Sequence, residues 1–142
     1  MENSAYIFEK VIPHLDYFGY ASEVLEEGKV IKAIHQGYGN VFIRAMGQVL
    51  LHSNYWLISE SATNDDPDLL KIINRLNQSN YVSTYSIMED GGLRIDAVFA
   101  GEYSKQSYGE FIDDFHQDIV RALRNDDELN DYREQKRLAL VN

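Results

Sequence analysis

The chain has 142 residues, 44% of them hydrophobic, and a net charge of -10 from 13 Lys and Arg against 23 Asp and Glu. A chain of this length buries roughly two-thirds of its unfolded surface, so a single globular domain needs no disulfide or metal to hold it. There is no cysteine, which excludes thiol catalysis, disulfides and cysteine-rich zinc sites.

The acidity argues against nucleic acid and anionic membrane as partners, since both are held largely through basic surface. It fits a soluble surface, or one offered to basic or weakly structured partners. The first residues, MENSAYIFEK, carry neither a basic region nor a long apolar run, so no signal peptide is expected. No stretch approaches the roughly 20 apolar residues of a membrane span. A soluble, cytoplasmic protein is the expectation, which the lack of cysteine also suits.

In chain order, residues 4 to about 18 read as a helix. Ser4 offers a cap, and Ile7, Val11, Leu15 and Phe18 recur at helical spacing. Pro13 predicts a kink or an earlier end, and Gly19 a stop. Strands follow over Val30–His35, Val41–Met46 and Val49–Ile58, separated by turns at Gly37-Tyr38-Gly39-Asn40 and Gly47-Gln48. A bulge is expected in the third near Ser53-Asn54. From Gly28 to Ile58 there is no acidic residue, only Lys29, Lys32 and Arg44. This meander is mildly basic within an acidic protein.

Residues Asp65 to Phe99 carry the best-signalled elements. Asp66 is a good N-cap, Pro67 fits the first helical position, and Asp68 complements the helix dipole. Leu69, Ile73 and Leu76 then mark the buried stripe, widened by Leu70 and Ile72. Tyr81–Met88 is rich in β-branched and aromatic residues, and Glu89-Asp90-Gly91-Gly92 is hairpin-turn chemistry. On the returning strand Leu93, Ile95, Ala97 and Phe99 alternate with Arg94 and Asp96, so one face is buried and the other wet.

A last helix is predicted from Ser107, where Ser107-Tyr108-Gly109-Glu110 matches a capping box and Phe111, Phe115, Ile119 and Leu123 form a stripe. From Asn125 the chain turns polar and reads as a helix continuation or a frayed tail. Its terminal Leu138, Leu140 and Val141 are available to fold back or to meet a partner. The predicted order is α–β–β–β–α–β–β–α, in the α+β class. One domain is expected over residues 1–125, with a polar tail or helix extension over 126–142.

Several of these patterns together resemble the YbjN family of small bacterial proteins, whose fold is similar to that of type III secretion chaperones. Asp66-Pro67-x-Leu69-Leu70 with Ile73-Asn74-x-Leu76-Asn77 resembles the family's central helix, and Asp90-Gly91-x-Leu93-x-Ile95 its hairpin return. Phe99-x-Gly101 with Phe111-x-x-x-Phe115 resembles the approach to its final helix, and Val41-Phe42-Ile43-Arg44 matches more weakly. The resemblance spans roughly residues 20 to 125, and its motifs are structural. It implies helices packed on an antiparallel sheet, often dimeric, acting by binding protein rather than by chemistry. Chaperones of this shape hold unfolded client segments on apolar patches, and YbjN relatives are described as candidate sensory-transduction regulators.

No reaction is specified by the residues themselves. His14, His35, His52 and His116 are scattered, without metal-ligand spacing. Asp113 and His116 lie three apart on one helix, where an ion pair or hydrogen bond in water outweighs a shared metal. The carboxylate pairs Asp65-Asp66, Glu89-Asp90, Asp113-Asp114 and Asp126-Asp127 fall at caps, turns and exposed faces, without the dry pocket that acid–base work requires. No GxSxG, P-loop or GxGxxG is present, and Asn77-Gln78-Ser79 matters as a glycosylation sequon only in a secreted chain.

Aromatic residues are the remaining signal: ten tyrosines and one tryptophan. Tyr55, Trp56 and Tyr85 fall on predicted strands and Tyr38 in a turn. These four either fill the core and sheet edges or form an aromatic face that grips protein. The expectation is a non-enzymatic, dimeric module, chaperone-like or regulatory, bound to a protein client through Tyr38, Tyr55, Trp56 and Tyr85, with no cofactor and no metal. The second reading is a small-molecule sensor with a pocket between sheet and helices. An extended apolar patch favours the first, an enclosed pocket with convergent polar groups the second.

Overall fold

The computed structural model describes residues 4–141, with side chains from 7 to 138. The elements are α1 (Ser4–Tyr17), β1 (Ala21–Glu26), β2 (Val30–His35), β3 (Gly39–Met46), β4 (Val49–Leu57), α2 (Pro67–Asn77), β5 (Ser83–Ile87), β6 (Gly92–Phe99), α3 (Lys105–Val120) and α4 (Asp127–Val141). A π-helical turn, Arg121–Asn125, ends α3. The strands form one antiparallel sheet in the order β1-β2-β3-β4-β6-β5. The α+β class is as expected, with one strand more than the predicted order. That strand is β1, and all six of its residues are exposed. It has no buried alternation for a sequence pattern to report.

Local chemistry sets the boundaries. Asp66 is extended and its carboxylate accepts from the Asp68 N–H at 3.0 Å, with Pro67 opening α2. Helix α3 starts earlier than Ser107. Ser104 is the N-cap, its hydroxyl accepting from the Ser107 N–H, while the Ser107 hydroxyl accepts from the Ser104 N–H, each at 3.0 Å. Ser107, rather than Glu110, thus supplies the reciprocal half of the box. Helix α1 runs through Pro13 to Tyr17. Pro13 and Glu9, whose carbonyl the missing N–H would have served, both lie on the wet side, where water can substitute.

Strand β4 is regular through Ser53-Asn54, and the register shift falls in β1, between Val24 and Glu26. The β5–β6 turn depends on glycine at Gly91, where φ is +85° and a Cβ would come within 2.3 Å of the Ala62 carbonyl oxygen.

The sheet has two unlike faces. Ile31, Ala33, Val41, Ile43, Leu50, Leu93, Ile95 and Ala97 point to the helical layer and are buried with Val11 and Leu15 of α1, Leu69 and Leu76 of α2, and Phe115 and Ile119 of α3. Leu129 and Tyr132 of α4 join the same core. Leu138 is exposed, and the side chains of Leu140 and Val141 lie outside the described residues. The Asp126 carboxylate holds Arg75 at 2.8 Å and accepts from the Leu129 N–H at 2.9 Å, tying the start of α4 to α2.

Polar side chains fix strand β5. The Asn77 amide donates to the Tyr85 carbonyl at 2.9 Å and accepts from the Tyr85 N–H at 2.8 Å, occupying the edge as a neighbouring strand would. Buried Asp118 of α3 accepts from the N–H groups of Tyr81, Val82 and Ser83 at 2.8, 2.9 and 2.9 Å. Among the described residues no helix is long and apolar enough to cross a membrane.

Candidate functional site

The four aromatic residues singled out in the sequence do not share one surface. Tyr85 is buried beneath α3, and its hydroxyl donates to the Asp118 carbonyl at 2.7 Å. Burial first, then Asp118, raises its pKa. Trp56 lies on the helical side at the rim of the sheet, its ring covering Gly39 and its N–H donating to the Asn54 side chain. A Cβ at Gly39, where φ is +75°, would fall 2.9 Å from that ring, so only glycine fits there. Tyr55, the next residue along β4, points out of the opposite face, as pleating requires. Tyr38 sits in the β2–β3 turn, its ring stacked on His116 at 3.7 Å and 6°.

The outward face around Tyr55 carries large side chains and, among the described residues, no covering layer. Phe42 of β3 packs edge-on against Tyr55 at 5.9 Å. Leu51 lies half-buried beside them, and Ile34, Met46, Leu57 and Val98 are exposed around this centre. Lys32 stands over Phe42 at 5.9 Å. On one flank Asp96 binds Arg94 at 2.7 Å and accepts from the Ser53 hydroxyl at 2.7 Å. Apolar side chains set among Lys32, Arg44, Arg94 and Asp96 give this face the mixed character of a protein-docking surface.

A second constellation sits under α3. The Tyr20 hydroxyl and His116 Nε2 are 2.6 Å apart, and His35 packs against both Tyr20 and Tyr38. Burial, reinforced by His35, lowers the His116 pKa to about 4, while burial and Tyr38 raise that of Tyr20. A neutral imidazole facing a protonated phenol is a core hydrogen bond, with no charged base to activate a nucleophile. His52 is likewise neutral, 2.7 Å from the Tyr108 hydroxyl, with burial lowering its pKa to about 3. Among the described residues no three His, Asp or Glu side chains converge on one point.

Surface clefts lined by described residues flank the helices. One of 670 Å³ lies between the segment after β4 and α4, one of 510 Å³ beside Tyr38, Tyr81 and the π-helical turn, and one of 760 Å³ between α1 and α3.

No protein-family model matches the chain, and no curated protein matches its sequence. Structure comparison finds the crystal structure of YbjN, a proposed transcription regulator from E. coli, with a TM-score of 0.57 and 13% identity over 81% of this chain and 90% of that one. The chain has the YbjN fold. At that identity the likeness carries the architecture, and the YbjN fold here supplies a helix-covered sheet face and a bare one.

Sequence reasoning missed Phe42 and Leu51 as partners of Tyr55 on the bare face of this YbjN fold. The signal for Phe42 was present in the alternation of Val41-Phe42-Ile43-Arg44, once Val41 and Ile43 are assigned inward. The α1–α3 cleft had no such signal, because its two walls lie at opposite ends of the chain.

Proposed function

We propose that the chain is a non-enzymatic regulatory module that works as a homodimer and binds a protein client on the open sheet face around Phe42 and Tyr55. The observation that carries this reading is the bare, apolar outer face of β3, β4 and β6 beside a helical layer that covers only the other side. Strands β3 and β4 of this face belong to the mildly basic meander, so that part of the face suits an apolar client segment with acidic flanks, and the acidity elsewhere limits non-specific contacts.

The test is recovery of partners by the tagged protein from its native cells, compared with a Leu51→Asp/Tyr55→Asp variant, with oligomer mass measured by light scattering. The reading expects a dimer in both and one dominant protein recovered only by the unaltered chain. Aromatic hot spots are typically worth at least about 2 kcal/mol, or roughly 30-fold in affinity. A monomer, or equal recovery by a variant that keeps its circular dichroism, overturns it.

A further inference from the structure

We propose that the outer edge of β1 binds an extended basic segment of another protein, added to the sheet as a further strand with its Lys or Arg side chains meeting Glu23 and Glu26. The site is separate from the centre of the open sheet face and does not depend on the reading of that face.

The two edges of the sheet differ. At one end of the strand order, the Asn77 amide bonds to the Tyr85 main chain and takes the place of a neighbour for β5. At the other end β1 has β2 on one side, and among the described residues neither a strand nor a side chain bonds to its other side. All six residues of β1 are exposed, so the helical layer covers neither of its faces. Neither Lys nor Pro, the usual guards of a free edge, lies between Ala21 and Glu26. Ala21 to Val24 keep a regular register with Ile34 to Ile31, and the shift falls after Val24. A strand laid along that stretch gains main-chain hydrogen bonds. It also covers Val24, which is 48% exposed although it lies opposite buried Ile31.

Charge selects the occupant. Glu23 lies opposite Lys32 and Glu26 opposite Val30, two places apart on β2, so both carboxylates share one side of the sheet. Glu27, in the turn to β2, adds a further acid. Lys32 stands over Phe42 of β3, away from the β1 edge. Lys29 is 3.3 Å from Glu26, but both side chains are more than half exposed, so the pair is weak and free to exchange. A second copy of β1 would set these acids against each other, and like charges across a strand pair are destabilising. Basic residues at alternate positions of an incoming strand share one face and meet Glu23 and Glu26 together, while the residues between them fall on the Val24 side. The net charge of -10 attracts such a segment from a distance.

Amide spectra of 15N-labelled protein, titrated with octapeptides of repeated Lys-Val, Glu-Val and Lys-Pro, separate strand pairing from attraction by charge. The expected result is movement of the Ser22 to Glu26 signals and slowed amide exchange there with the Lys-Val peptide. That peptide should bind at least about tenfold more tightly than Glu-Val, which carries the wrong charge, and than Lys-Pro, which keeps the charge but cannot form a strand. The exposed double variant Glu23→Lys/Glu26→Lys should keep its circular dichroism and prefer Glu-Val to Lys-Val. Equal binding of Lys-Pro or Glu-Val, shifts confined to other strands, an unchanged preference in the double variant, or no binding at millimolar peptide would each overturn the proposal. So would β1 amides already protected from exchange in the free protein, as a second copy seated on that edge would make them.

Discussion

Asp118→Ala should be among the most damaging single changes in this protein. The carboxylate is fully buried and is the acceptor for three consecutive N–H groups, those of Tyr81, Val82 and Ser83. Ser83 is buried, so its orphaned N–H costs about 1–3 kcal/mol. Tyr81 and Val82 are exposed and their N–H groups recover water. Each still loses a charge-assisted bond worth about 1.5–3 kcal/mol before that recovery.

Release of a buried charge offsets part of this, which leaves a net loss of about 4 kcal/mol. For a domain of this size that corresponds to a fall of about 12 °C in Tm. Asp118→Asn keeps one acceptor oxygen but turns an amide N–H₂ toward N–H donors, so about 2–3 kcal/mol is expected. Urea unfolding followed by circular dichroism measures both, with hydrogen exchange at Tyr85 reporting whether β5 loosens first. An alanine variant within about 1 kcal/mol of the unaltered chain would refute the argument that this carboxylate holds β5 against α3.

Two further outcomes follow from polar side chains that bond within the fold. His52 and His116 have folded pKa values of about 3 and 4 against an ordinary 6.5, so the unfolded chain binds protons that the folded chain rejects. Their contribution is complete above pH 6.5 and is lost as pH falls. The unfolding free energy should therefore drop between pH 6 and 4 with a slope approaching about 2.7 kcal/mol per pH unit, and His52→Phe should halve that slope; a flat profile sinks the reasoning. Asn77→Ala removes both bonds to the Tyr85 backbone, so about 1–2 kcal/mol should be lost and concentration-dependent self-association should appear in light scattering. An unchanged mass at high concentration would show that the edge is protected by something else.

Much of the fold was legible because its signals are local. The cap at Asp66, the proline at the first helical position and the glycine-bearing turn before Leu93 each act within a few residues, and the boundaries of α2 and β6 follow from them. Strand β1 was illegible for the converse reason: an exposed edge strand held by backbone pairing alone leaves no alternation to detect. The capping box of α3 was displaced by three residues because Ser104 and Ser107 are both competent caps, and only the folded chain shows Ser107 answering Ser104. Tyr55 and Trp56 are indistinguishable as aromatic neighbours until the register puts Trp56 opposite Leu93 and Tyr55 opposite Arg94. The cleft between α1 and α3 required those helices to dock, which no window of sequence contains.

The central pairing of β4 with β6 also governs how the chain assembles. Strands β1 to β4 form a run of hairpins that need only short loops, and β5 with β6 forms another. The seam between them joins Leu57 to Gly92 and encloses the whole of α2 and β5. Closing a loop of that length costs about 3 kcal/mol of chain entropy before any contact across it is gained. The sheet is thus two locally wired halves joined by one long-range zipper. That zipper is the step whose rate should set the speed of folding.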